Sequence, residues 1–409
     1  MIKKLSLTLL LALLILPDLQ AQSGTNSPLS IFGIGEIEYR DFGRTTGMGS
    51  VGIGLQSENF LNRSNPAALS GIDTLRFVVD VSAVIKFSEF ITSTDNARTN
   101  NFNFKNIAAG VRLSNRWTSS VGLSPFSNVG YSIRNSQPRE GSVDAQGELF
   151  FTGSGGVNKF YWANAVELFR GFSLGVTSSY LFGNITHTQE SNVSNRTETH
   201  NINKLNFDFG VQYSHFFGGH TRVTVGGIYG YESKMDIQQN VTLSSHNVIL
   251  QNRRLPDQIL YLPEYYGVGF SITHNRNNPE WVFAADYKFQ NWSTNRLQHK
   301  ELTFADSHIY SAGLQLTPNT RRPERLSQVM RFQLGASYSR SYLRVHGYQL
   351  EDYSVSMGVG IPFGLAYVNI SAIVGESGTG QRGGITERYF MLSVGMSLVD
   401  RWFSRWQWD

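Results

Sequence analysis

The chain of 409 residues contains no cysteine. That absence excludes disulfide frameworks, thiolate catalysis, Cys-ligated zinc and iron–sulfur clusters, and a lipid anchor on an N-terminal cysteine. Charge is scarce too: Asp, Glu, Lys and Arg make up 16% of the residues, and 35 basic against 31 acidic side chains leave a formal charge of +4 with no basic block. A nucleic-acid partner, which needs a concentrated basic face, is not expected. Beyond Leu16 no apolar run approaches the roughly 20 residues of a spanning helix. The chain is therefore either an exported soluble protein or a membrane barrel.

Export is written at the start. Lys3 and Lys4 precede an apolar run from Leu5 to Leu16, followed by Pro17 and a small residue, Ala21, suited to cleavage. Residues 1–21 read as a secretory signal peptide. From Leu75 onward the chain alternates. Phe77, Val79, Val81, Ala83, Ile85 and Phe87 interleave with Val78, Asp80, Ser82, Val84, Lys86 and Ser88, and Leu205, Phe207, Phe209, Val211 and Tyr213 interleave with Asn206, Asp208, Gly210 and Gln212. Phe332 to Ser339 and Phe390 to Leu398 repeat the pattern. A period of two means strands with one oily and one wet face.

Such stretches fall near 75–88, 101–114, 117–134, 147–166, 172–187, 202–217, 221–235, 263–275, 281–292, 306–317, 330–344, 350–361, 365–375 and 387–399. They number about fourteen, an even count, at about 24 residues per strand and connection, as in outer-membrane barrels. Aromatic residues crowd the strand ends, at Tyr161, Trp162, Tyr229, Tyr231, Tyr265, Tyr266, Trp281, Trp292, Tyr389, Trp402 and Trp406, where lipid-interface girdles are expected. Short turns at Ser114-Asn115-Arg116 and Gly218-Gly219-His220 alternate with polar stretches, 188–201 and 236–262, that read as long loops. The expectation is an all-β fold: a transmembrane antiparallel β-barrel over residues 75–409, in the lipid bilayer of a Gram-negative outer membrane. A soluble β-sandwich is the alternative.

Residues 22–74 do not alternate and are rich in glycine. Gly47, Gly49 and Gly52 formally match the G-x-G-x-x-G dinucleotide fingerprint, but no strand precedes them and no helix follows, so a nucleotide site is not expected. A compact hatch, or plug, inside the barrel lumen fits the composition better, since glycine permits close backbone packing.

These residues carry a family resemblance. The stretch Ser27-Pro28-Leu29-Ser30-Ile31-Phe32-Gly33-Ile34-Gly35, Gly47-Met48-Gly49, and Asn65-Pro66-Ala67-Ala68-Leu69-Ser70 resembles the N-terminal hatch of FadL-type outer-membrane transporters of hydrophobic compounds. Arg388-Tyr389-Phe390 before the last strand and Asp400-Arg401-Trp402-Phe403 after it resemble the Bacteroidota branch. The resemblance implies a monomeric, hatch-plugged, fourteen-stranded barrel that takes up apolar, long-chain fatty acid-like molecules by passive diffusion. It also implies lateral release through an opening at a kink of the third strand. Here that strand carries Ser124-Pro125-Phe126-Ser127-Asn128, and a proline removes a ladder donor where it sits. Pro125, Phe126 and Asn128 are the candidate opening; a simple bulge at the rim is the alternative. The candidate ligand and hatch residues are Phe32, Ile34, Leu55, Phe60, Asn65 and Pro66, for which packing against the wall is the competing role. Some barrels of this fold serve as structural or shuttle partners in secretion and assembly complexes, which gives the second functional expectation and a possible envelope protein partner.

Catalysis is not expected. The nine histidines lack helical metal-site spacing, no nucleophile elbow or P-loop occurs, and neither cofactor nor metal is implied. Asp80, Lys86, Asp208, Asp286 and Lys288 fall on the lumen side of their strands. Clamping of the hatch by Asp80 and Asp286 is the expected use, because an inward ionised group needs water or a partner.

Overall fold

The computed structural model describes residues 27–401 other than 93–95, 139–145, 192, 247, 276–278, 295–301, 320–324, 346 and 380–383. The expected signal peptide and the tail residues Trp402, Phe403 and Trp406 lie outside the described residues. Fourteen antiparallel strands close into a barrel. They are β1 (Arg76–Ile91), β2 (Asn96–Arg112), β3 (Trp117–Pro138), β4 (Gln146–Phe169), β5 (Phe172–Ser191), β6 (Asn195–Phe217), β7 (Thr221–Gly230 and Ser233–Ser245), β8 (Val248–Arg254, Gln258–Leu262 and Glu264–His274), β9 (Glu280–Asn291), β10 (Leu302–Phe304 and Ser307–Thr317), β11 (Arg331–Val345), β12 (Tyr348–Phe363), β13 (Ala366–Gly378) and β14 (Thr386–Arg401). Each pairs with its sequence neighbour. The ring closes where β14 pairs with β1, from Thr386↔Ile91 to Arg401↔Arg76.

The alternation assigns the two faces as expected. Ile85, Phe87, Leu205, Phe209, Leu334, Phe390 and Val394 are exposed on the outside, whereas Val78, Ser82, Gln212, Gln333 and Ser393 are buried. An apolar outer belt over a polar interior identifies the surrounding solvent as lipid. No helix among the described residues is long and apolar enough to cross a membrane.

Two expectations are corrected. The aromatic residues at the strand ends do not all join a girdle: Trp162, Tyr229, Tyr266 and Trp281 are exposed, but Tyr161, Trp292 and Tyr389 are buried and Tyr265 lines an internal cavity. Adjacent residues on a strand point to opposite faces, so only one of Tyr161-Trp162 or Tyr265-Tyr266 can meet lipid. The polar stretches expected as long loops are mostly strand among their described residues. β5 and β6 pair out to Glu190↔Asn195, and β7 and β8 out to Ser245↔Val248. Beyond the bilayer both faces of a strand meet water, so the one-sided apolar pattern vanishes while the ladder continues.

Residues 27–74 form short 3₁₀ turns, Pro28–Ile31, Thr46–Met48 and Pro66–Gly71, and a two-residue strand, Glu36–Ile37. They lie against inward-facing wall positions. Met48, Val51, Ala67, Ala68, Leu69 and Ile72 are almost completely buried.

Candidate functional site: the seam between the N-terminal segment and the wall

Glycine on the inner wall sets how closely the N-terminal segment approaches. A Cβ built on Gly226 of β7 would stand 1.9 Å from the Ile53 carbonyl oxygen, and one on Gly210 of β6 2.2 Å from Asn65 Oδ1. Gly175 of β5 meets the Ala67 backbone, Gly269 of β8 meets Gly54, Gly313 and Gly335 of β10 and β11 meet Met48, Gly358 of β12 meets Gly47, and Gly395 of β14 meets Gly43. These positions make a track with no side chains, on which the segment's backbone rests.

Carboxylates fix it there. Asp286 Oδ2 accepts the N–H groups of Gly52 at 2.6 Å and Ile53 at 2.8 Å, and Asp80 Oδ2 accepts that of Leu61. Both expected clamps thus take backbone donors that would otherwise be buried without partners, each a charge-assisted bond. Within the segment Arg63 pairs with Asp41, and Arg40 reaches Asp352 of β12 and the Tyr389 hydroxyl at 2.6 Å. Burial pulls the Arg63 guanidinium down, but Asp41 beside it, with Tyr161 and Glu38, holds it above its ordinary value.

Asn65-Pro66 works as a corner. Asn65 caps the turn through Oδ1, which accepts from Ala67 N at 3.0 Å. Its Nδ2 donates to the carbonyls of Ile53 at 2.9 Å and Val211 at 3.1 Å, so one side chain ties two parts of the segment to β6. Pro66 occupies the first helical position, where its missing N–H costs nothing. Asn65→Ala is expected to lower stability by about 1–3 kcal/mol, as a lost cap and orphaned carbonyls do. Thermal unfolding in detergent reads the loss, and an unchanged midpoint would remove the corner role.

The wall is incomplete beside this segment. β2 pairs with β3 only from Ile107↔Leu123 to Arg112↔Thr118 among the described residues, while β3 continues to Pro138 with β4 as its one barrel-strand neighbour there. The β3–β4 ladder shifts register between Pro125 and Ser127. Into the gap comes the two-residue strand, with Glu36↔Asn128 and Ile37↔Ser127. Ser27 N donates to the Gly130 carbonyl at 2.8 Å, Glu38 N to the Phe126 carbonyl at 3.0 Å, and Asn128 Nδ2 to Glu38 Oε1 at 3.0 Å. Glu38 also pairs with Lys105 of β2. Gly35, at φ +88°, passes so close to β3 that a Cβ would lie 2.4 Å from the Asn128 carbonyl oxygen.

The other candidate residues are mostly packed. Ile34 sits in an apolar cluster with Val129, Tyr131, Val157, Leu181 and Ile185, with Phe126 at its margin. Leu55 and Phe60 pack with Met48, Val51 and Val282, and Phe32 rests on Trp292, Tyr342 and Leu343. Of the six ligand and hatch candidates, Pro66 alone lines the larger internal cavity, of about 240 Å³, which Pro125 and Phe126 also border. Its other lining includes Asp41, Arg63, Lys105, Lys159, Asp208 and Lys288. A second cavity of about 140 Å³ lies beside Arg40, Lys86 and Glu387; Lys86 pairs with Glu387 at 2.7 Å. No cluster suited to a metal ion occurs among the described residues.

Reasoning from sequence had missed the glycine track and the Arg40–Asp352–Tyr389 link. Glycine recurring at wet-face positions, as at Gly210 and Gly395, was the available signal for the first; the second joins residues more than 300 positions apart and leaves none.

Solved structures share the fold of this closed barrel. The chain is similar to a Pseudomonas aeruginosa FadL homologue (TM-score 0.56, 12% identity, covering 88% of this chain and 98% of that one). It is likewise similar to the P. putida toluene transporter TodX (TM-score 0.58, 12% identity, 90% and 99%) and to the CymD monoaromatic hydrocarbon channel (TM-score 0.52, 12% identity, 90% and 99%). The chain belongs to the BamG family, whose model matches residues 1–409. No curated protein matches its sequence.

Proposed function

We propose that this chain is an outer-membrane channel for apolar, long-chain fatty acid-like molecules, without a catalytic role, in which the exit runs sideways through the gap between β2 and β3. The observation that carries the reading is the early end of the β2–β3 ladder at Leu123, with Pro125 beyond it and, among the described residues, the N-terminal segment around Glu36–Ile37 in the space. The barrel fold shared with proteins named as hydrocarbon channels and toluene transporters supports it. In this reading residues 1–21 direct export, residues 22–74 are the plug, residues 75–409 the barrel, and the unit is a monomer of the Bacteroidota branch. Phe126 and Asn128 flank the exit. Passage then requires Glu36–Ile37 to leave β3.

A cysteine-free chain makes the test clean. Facing residues of an antiparallel pair stand about 4.5–5.5 Å apart at Cα, within disulfide reach. Ile37→Cys combined with Ser127→Cys is expected to crosslink on oxidation and to abolish uptake of radiolabelled oleate by cells, with recovery on reduction. Undiminished uptake by the oxidised form would falsify the lateral route.

A second reading, a structural or shuttle partner in an outer-membrane secretion or assembly complex, is favoured by one observation: the larger cavity is lined by charges such as Lys159, Asp208 and Lys288 where a hydrocarbon path needs apolar walls. Native mass spectrometry after extraction in mild detergent separates the two. A bound apolar molecule supports transport, and an empty barrel that retains a second envelope protein supports the partner role.

A further inference from the structure

The N-terminal segment is bonded differently on two parts of the wall. Against β5 to β9 its backbone is well taken up: Asp286 accepts from Gly52 and Ile53, Ser173 Oγ donates to the Ala67 carbonyl at 3.0 Å, and Ser271 Oγ to the Gly54 carbonyl at 2.8 Å. Only Gln212 Oε1 and Asp286 Oδ1 stay unpaired on that wall among the described residues. Residues 43–49 rest on β10 to β14 instead, beside the inner face of β1. There Ser82 Oγ, Ser371 Oγ, Ser393 Oγ, Gln333 Oε1, Arg331 Nη2 and both polar atoms of Asn369 are buried with no hydrogen-bond partner among the described residues. These groups are neighbours: Ser371 pairs with Ser393, and Gly360 stands between Arg331 and Asn369. The turn is held by Gln333 Nε2 donating to the Arg44 carbonyl at 3.1 Å, Gly49 N donating to Ser356 Oγ at 3.0 Å, a long bond of 3.3 Å from Arg44 Nη2 to Gln315 Oε1, and the packing of Met48. A buried polar group without a partner raises the free energy of the state that buries it. Its ends are also special: Gly43 has φ +140°, Gly49 +71°, and Ser50, which has a Cβ, +61°. A non-glycine residue held there stores strain.

We propose that residues 43–49 lift from this wall as a flap hinged at Gly43 and at Gly49-Ser50, opening a water-filled passage through the lumen for small hydrophilic solutes. The start of that passage is already present. On β1 the inner face runs from Val84, beside the cavity of about 140 Å³, to Ser82, beside a void of about 20 Å³ that Gly43, Arg44 and Asn369 also line. Phe42 borders both spaces, so the flap begins where they are divided. Beyond Asn369 comes Arg331, the first residue of β11, at the barrel end that carries the short turns and faces the periplasm in such barrels. Lifting the flap lets water reach the unpaired groups and relaxes Ser50. The opened wall presents serine, glutamine, asparagine and arginine, which favours hydrated solutes over apolar ones. The inference does not rest on the lateral exit, which lies at β2 and β3.

One kind of substitution tests this with opposite signs on the two walls. Ser82→Ala, Ser371→Ala and Ser393→Ala together delete unpaired hydroxyls and leave shape almost unchanged. The full-length triple variant is expected to unfold about 2–5 °C higher in detergent and to show an open probability in planar bilayers at least about tenfold below wild type. Swelling of arabinose-loaded liposomes should slow in step, and the amides of 44–47 should exchange hydrogen more slowly. Ser173→Ala with Ser271→Ala removes bonds that are made and should lower the unfolding midpoint instead. Oxidised protein carrying Ile37→Cys and Ser127→Cys should conduct ions as wild type does, which separates this passage from the lateral exit. A triple variant with an unchanged or lowered midpoint or with wild-type conductance, a wild-type protein that passes neither ions nor arabinose, or conductance lost on oxidation would each overturn the proposal.

Discussion

Replacing Asp286 with alanine is expected to loosen the N-terminal segment and make cells more sensitive to detergents and large antibiotics. The carboxylate accepts two backbone N–H groups, from Gly52 and Ile53, and alanine leaves both without that acceptor. Bonds to charged groups contribute about 1.5–3 kcal/mol each, so the segment loses several kcal/mol of its hold on β9. Asp286→Asn keeps an acceptor and should fall between wild type and alanine. Asp80→Ala removes the bond to Leu61 on the far side of the barrel, and the double variant should leak most. Single-channel conductance of purified protein gives the direct reading. Sensitivity and conductance both unchanged in the double variant would mean that the clamps are dispensable.

The second large effect concerns two neighbouring glycines. Gly226→Ala drives a methyl to 1.9 Å from the Ile53 carbonyl oxygen, and a backbone atom cannot rotate away. Gly227→Ala faces the other way, where Val211 Cγ1 at 3.2 Å is the nearest atom. Overpacking costs about 1–3 kcal/mol, and more where backbone must shift, so Gly226→Ala should lower the urea midpoint and expose the N-terminal segment to protease. Gly227→Ala should change little. Equal effects at the two positions would show that the track does not set the segment's seat.

The strands were legible because lipid outside and water inside force apolar and polar residues apart at every second position. All fourteen stretches marked by alternation, from 75–88 to 387–399, fall on strands β1 to β14. Where that asymmetry of solvent ends, legibility ends with it: 188–201 carries Thr, Asn, Ser and Glu on both faces and reads as loop, though it is ladder out to Glu190↔Asn195. The clamps were legible as isolated acids on an oily strand. The seat of the segment was not, because its main contributors, Gly175, Gly210, Gly226 and Gly335, have no side chains to form a pattern. Tyr161 and Tyr389 misled for a related reason. An aromatic ring suits a lipid interface and a packed interior equally well, and only strand register separates the two.

The contact of Gly43 with Gly395 on β14 has a kinetic meaning. A segment made among the first residues finds its seat only when the last strand arrives, and β14 must also meet β1 to close the ring. Contacts across such sequence distances cost much loop-closure entropy before any reward, so they form late and slowly. A ring closed around an empty lumen would have to admit the segment afterwards, past the clamps' buried partners. Assembly by wrapping, with β1 and β14 joining last around the seated segment, avoids that barrier and makes closure the slow step.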